Sequence, residues 1–172
     1  METAARFSGL PALVLLDSAA RDRRGRYSFL TADPFHIIRQ EDGGTIRATP
    51  PRAERHVVEA DPLNAVREML LPFMQEPEPG LPPFQGGAAG FIGYAYGRSL
   101  ERIPPPRRRD LNLPDLCLGL YDWVISWDHV QEQCWIISTG IPDSGAAQDR
   151  RAAARLEFVR QAIATGSREQ GA

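Results

Sequence analysis

Hydrophobic and polar positions alternate between two rhythms along this chain, and strand-like stretches dominate. Ala12 to Leu16 (ALVLL) is an unbroken apolar run of strand length, which predicts a strand buried on both faces. Together with the residues before it, METAARFSG, it reads as a first strand and not as a signal peptide: Glu2 is acidic and no cleavage pattern follows. The run stops at Asp17-Ser18, whose side chains favour turns. After an arginine-rich loop, Tyr27 to Thr31 predicts a second strand, ended by Asp33-Pro34. Phe35 to Arg39 and Thr45 to Thr49 flank Asp42-Gly43-Gly44, a turn signal that predicts a hairpin, and Val57-Val58 begins another short strand.

Helical spacing appears twice. Asp61 is a natural N-cap and Pro62 a natural first helical residue, and Leu63, Val66, Leu70 and Phe73 recur on one face. Near the end, Ala152, Leu156, Val159 and Ile163 recur at helical spacing after a break over Pro142 to Gly145, with Gly166 as a C-cap. Between them lies PFQGGAAGFIGYAYGRSLERIP, Pro83 to Pro104, where glycines interrupt an apolar strand pattern before a short polar helix. Repeated glycine in a strand signals bulges or close backbone approach. Leu116 to Trp127 (LCLGLYDWVISW) predicts a long aromatic β segment, with Asp128-His129 as a turn and Val130 to Ser138 as a partner strand. Strand pairs in succession, without regular βα alternation, predict an α+β domain with mostly antiparallel sheets packed as a sandwich with outer helices. Residues 1–166 read as one domain and 167–172 as a flexible tail.

Composition removes several functions. All twenty basic residues are arginine, so no lysine is present for a Schiff base, a pyridoxal phosphate attachment or a P-loop. The glycine spacing is neither G-x-G-x-x-G nor G-x-x-x-x-G-K-[ST], the two phosphate-binding patterns. A net charge of −2 draws the chain to neither nucleic acid nor an anionic membrane. The Arg107 to Arg109 run reads as a solvated loop, and no apolar run reaches the ~20 residues of a membrane span. Cytoplasm is the expected compartment. Cys117 and Cys134 fall in predicted strands and are expected as buried free thiols, and His36, His56 and His129 are too scattered for a metal site.

Three ordered blocks then resemble one family. LLDS (Leu15 to Ser18) with GRYSFLTADP (Gly25 to Pro34), PFQGGAAGFIGYAYGRSLERIP, and LPDLCLGLYDWVISWDH (Leu113 to His129) are similar to motifs of the aminodeoxychorismate synthase component I and anthranilate synthase component I family. The QGG and YDW wording is closer to the aminodeoxychorismate branch. The resemblance implies the N-terminal part of a chorismate-utilising enzyme, with two large antiparallel sheets and helices outside. Such enzymes replace the hydroxyl of chorismate with ammonia, using Mg2+, and draw ammonia from a glutamine amidotransferase subunit. The product serves 4-aminobenzoate and folate in one branch and tryptophan in the other.

The same resemblance implies a tryptophan-type pocket at Asp17, Ser18, Arg24, Gly25, Arg26 and Tyr27. An amino acid zwitterion needs an anionic or hydroxyl partner for its ammonium, donors for its carboxylate and an apolar wall. Asp17 suits the ammonium, and Arg26 suits either a ligand carboxylate or a structural ion pair. Ser18 as a turn residue and Tyr27 as a core position are the plain alternatives. No catalytic or metal-binding residue is expected in this chain. The family's catalytic lysine and glutamates belong to a C-terminal chorismate-binding half expected to lie beyond Ala172, and Ala95 stands where relatives carry an acid. A free-standing amino-acid-binding or interaction module, or the N-terminal domain of an anthranilate synthase component I, is the alternative.

Overall fold

The computed structural model describes residues 2–20, 24–41, 44–50, 55–102, 104 and 113–165. Nine strands and four helices lie among them. The strands are β1 (Val14–Leu16), β2 (Tyr27–Thr31), β3 (His36–Glu41), β4 (Gly44–Ala48), β5 (Arg55–Val58), β6 (Gly87–Ile92), β7 (Leu116–Tyr121), β8 (Trp123–Asp128) and β9 (Gln133–Ser138). The helices are α1 (Glu2–Ala5), α2 (Pro62–Leu70), α3 (Gly97–Leu100) and α4 (Gly145–Thr165). One sheet runs β1-β2-β8-β9 and the other β5-β4-β3-β7-β6, and each neighbouring pair is antiparallel. The α+β architecture is the one the strand patterning predicts.

Each sheet is covered by its own helix. Ala65 and Val66 of α2 pack with Ile38, Leu116 and Leu120 of the five-stranded sheet. Asp61 caps α2 as its sequence predicts, accepting from the N–H groups of Leu63 and Asn64 at 3.0 and 3.2 Å. Its other oxygen accepts from the Tyr96 hydroxyl at 3.0 Å, tying the helix start to the turn after β6. On the four-stranded sheet, Val159 of α4 and Phe7 close over Leu30, Trp123 and Ile125, with the Phe7 and Trp123 rings 5.3 Å apart.

Four expectations are corrected. The residues before β1 form a helical turn, α1, whose following Phe7 is buried. β1 itself is an edge strand and leaves Leu16 exposed, so it is not buried on both faces. Leu116 to Trp127 is not one strand: the chain leaves one sheet after Tyr121 and enters the other at Trp123. Cys117 and Cys134 are free and lie in strands, but the first is half-buried and the second exposed. The turn at 42–43, the arginines at 107–109, the C-cap at 166 and the tail at 167–172 lie outside the described residues.

Asp122 is the hinge between the sheets. Its carbonyl accepts from the Thr139 N–H at 2.8 Å, and its carboxylate, fully buried, accepts from Arg151 at 2.8 Å and Arg155 at 3.1 Å. Arg155 continues to the Asp33 carboxylate at 2.7 Å. Helix α4 is therefore locked to the crossing point by charge as well as by its apolar face. Glycine has a plain role at Gly90, with φ +150°, where a Cβ would overlap the Cys117 carbonyl oxygen of β7.

Candidate ligand pocket

Three strand ends meet at one rim of the four-stranded sheet. β1 delivers Asp17 and Ser18 just past its last residue, β2 starts at Tyr27, and β8 ends at Asp128 with His129 following. The register sets Tyr27 opposite Asp128 and Ser28 opposite Trp127, so alternation sends these pairs to opposite faces. Ser28, Trp127, His129, Leu15 and Asp17 line a cavity of about 180 Å³ under α1, closed by Thr3 and Ala4. Leu15, Ala4 and Trp127 supply apolar wall, and Asp17, Ser28, Thr3 and His129 supply polar groups.

The polar groups are joined. The Ser28 hydroxyl, buried at 3% exposure, donates to Asp17 Oδ1 at 2.8 Å and accepts from the Ser18 N–H at 3.0 Å. His129 Nε2 lies 2.7 Å from the same hydroxyl. Ser18 donates its own hydroxyl to the Tyr27 carbonyl at 2.7 Å, stapling the loop that joins β1 to β2.

The remaining predicted pocket residues sit apart from this cavity. Arg26 pairs with Asp128, and its guanidinium lies 4.8 Å from the centroid of the Tyr27 ring. The Arg26 partnership and the adjacent N–H groups of Val130 and Gln131 hold the Asp128 carboxyl down at about 2. Tyr27 stacks on Phe29, which meets Phe84 edge-on, so this face is an aromatic row. Arg24 and Gly25 form the bend before it, and a Cβ on Gly25 would overlap the Ala20 carbonyl oxygen. Of the six predicted residues, the structure thus places Asp17 in the cavity, with Ser18 bridging to it, and Arg26 and Tyr27 on the other face.

Ser28, Asp128 and His129 are the residues the sequence reading passed over. Asp128-His129 registers in sequence only as a turn. Ser28 lies inside a recognised block, but its link to His129, 101 residues away, exists only once β2 and β8 are paired.

A second cavity, about 390 Å³, is lined by Gly86 and Gly87 with Phe73, Met74, Phe84 and Ile141. Gln85, the first residue of QGG, holds the loop above it: its amide donates to the Glu78 and Pro82 carbonyls at 3.1 and 3.2 Å, and its oxygen accepts from the Glu78 N–H.

Comparison with known proteins places this geometry in context. The chain is 39% identical over 132 residues to aminodeoxychorismate synthase component 1 of Salmonella typhimurium, covering 75% of this chain and 28% of that protein. It is 33% identical over 166 residues to anthranilate synthase component 1 of Mycobacterium bovis, covering 89% of this chain and 31% of that one. The crystal structure of anthranilate synthase component I from Streptococcus pneumoniae superposes with a TM-score of 0.61 at 25% identity, over 81% of this chain and 30% of that one. The chain therefore spans less than a third of the length of the relatives it matches. No protein-family model matches it.

Proposed function

This chain belongs to the family of aminodeoxychorismate synthase component 1 and anthranilate synthase component 1, and from that membership we propose that it is the N-terminal, non-catalytic part of an aminodeoxychorismate synthase component 1-like protein. The observation that carries the reading is the partial match: a two-sheet unit holding the three motif blocks in order aligns with under a third of each relative. The complete protein would replace the hydroxyl of chorismate with ammonia from a glutamine amidotransferase, towards 4-aminobenzoate. This part contributes scaffold and a tryptophan-type pocket beside Asp17 and Ser18, with Arg24, Gly25, Arg26 and Tyr27 building the adjoining rim and not the cavity wall.

The chemistry of the rim supports that assignment of roles. Asp17 offers a carboxylate to an ammonium beside the apolar wall of Leu15 and Trp127. Arg26 is already engaged with Asp128, so its role is to hold the β2–β8 rim and the Tyr27 ring. Mg2+ belongs to the complete enzyme. Among the described residues no group of three or more His, Cys, Asp or Glu is placed to hold an ion.

Two measurements test the reading. The purified chain, given chorismate, ammonium and Mg2+, is expected to form no aminated product; product formation would overturn the non-catalytic assignment. Calorimetric titration with L-tryptophan is expected to show saturable binding, weakened about tenfold by Ser18→Ala. A folded chain with no tryptophan binding would remove the pocket and leave the scaffold.

A further inference from the structure

The Ser28 hydroxyl has three polar neighbours and one proton. The Ser18 N–H, at 3.0 Å, can only donate to it. Asp17 Oδ1, at 2.8 Å, can only accept while the carboxyl is ionised, so the hydroxyl proton goes there. That leaves His129 Nε2, at 2.7 Å, which must then be the donor. The proton order His129→Ser28→Asp17 is the arrangement in which each contact of this buried hydroxyl is attractive. If His129 carried its proton on Nδ1 instead, Nε2 and Asp17 would compete for a single hydroxyl proton, and one short contact would become lone pair against lone pair.

From this we infer that His129 is a positioning residue of the pocket: by donating from Nε2 it commits the Ser28 proton to Asp17 and fixes which way that carboxylate faces. The inference rests on the reading above, in which Asp17 receives a ligand ammonium. Asp17 lies one residue past the end of an edge strand and is exposed, so its side chain would otherwise sample several rotamers. The relay pins Oδ1 and leaves Oδ2 for an incoming donor. His129 is itself held in place, since its backbone N–H donates to the Arg26 carbonyl at 2.8 Å and the preceding Asp128 is gripped by Arg26. Arg26 thereby acts on Asp17 from the other face of the sheet, through three hydrogen bonds in series. The order excludes nucleophilic chemistry at Ser28, because a histidine that donates to a serine cannot take its proton.

The experiment has two arms on the same chain. Long-range nitrogen–proton correlation spectra of the imidazoles should show His129 protonated at Nε2 near neutral pH. L-tryptophan titrations should show about a tenfold loss of affinity for His129→Ala, and recovery to within about threefold for His129→Gln, whose amide can donate to Ser28. Circular dichroism confirms that each variant is folded at the titration temperature. An Nδ1–H tautomer overturns the proton order. Unchanged affinity in His129→Ala overturns the positioning role while leaving the pocket standing. If the wild-type chain binds no tryptophan although Nε2 is protonated, the pocket reading falls and His129 is reduced to a staple between strand ends.

Discussion

Arg26 directs two nitrogens, Nε at 2.9 Å and Nη2 at 2.6 Å, onto the same oxygen of Asp128, while the other oxygen caps the turn after β8 through the N–H groups of Val130 and Gln131. A carboxylate so fully engaged is expensive to protonate. Its pKa falls from the ordinary 3.8 to about 2, with the Arg26 hydrogen bonds as the leading cause. The sign follows by linkage: the unfolded chain binds the proton more readily, so the stability contributed by Asp128 is complete above about pH 4 and drains away as the pH falls towards 2. Arg26→Gln should flatten that part of the acid unfolding curve. Urea midpoints measured between pH 2 and pH 6 check this, and an unchanged slope would show that the pair contributes nothing to acid stability.

Asp122 makes the sharper stability prediction. It is fully buried where the chain passes between sheets, and two arginines of α4 converge on it. Asp122→Ala leaves both guanidinium groups without their shared anion, at an expected cost of about 3–5 kcal/mol. Removing all three charges together, as Asp122→Leu with Arg151→Met and Arg155→Met, should cost far less than Asp122→Ala plus the two arginine changes taken singly. Chemical denaturation of the series distinguishes a charge clamp from simple packing, which would give additive losses.

Gly90 offers a test of the backbone. Its φ of +150° and the close approach of the Cys117 carbonyl leave no room for a Cβ, so Gly90→Ala should break the β6–β7 pairing. Hydrogen exchange should report it locally, as lost protection from Gly87 to Ile92 with β2 and β8 unaffected. Uniform loss of protection would instead mean that β6 is integral to global folding.

These residues also show where sequence reading reaches and where it stops. β2, the β3–β4 hairpin, α2 with its Asp61 cap, and α4 were legible because each is written in local periodicity or cap chemistry. The division of Leu116 to Trp127 was not, because apolar strand-forming residues stand on both sides of the break and their pattern does not say that Tyr121 and Trp123 serve different sheets. Asp122, the one charge in that run, was the available signal. The pocket followed the same rule. Asp17 and Ser18 stand beside an obvious strand end, whereas Ser28 and His129 become neighbours only through non-local pairing. Arg26 was legible as a choice between ligand partner and ion pair, and the position of Asp128 favours the pair.

The last prediction concerns the open edge of the five-stranded sheet. β6 is its outer strand, and Phe91 and Ile92 on it remain exposed; Tyr94, two residues further, is 95% exposed. An edge strand that leaves large apolar side chains exposed is a template for association. On the reading that this chain is one part of a longer protein, the edge is where further polypeptide would pack. The isolated chain should then self-associate in light scattering, and Phe91→Thr with Tyr94→Ser should restore a monomer. The melting temperature should move little, because neither side chain is buried in the core. If the unmodified chain is monodisperse at high concentration, these exposed side chains do not drive association, and the edge is not where further polypeptide packs.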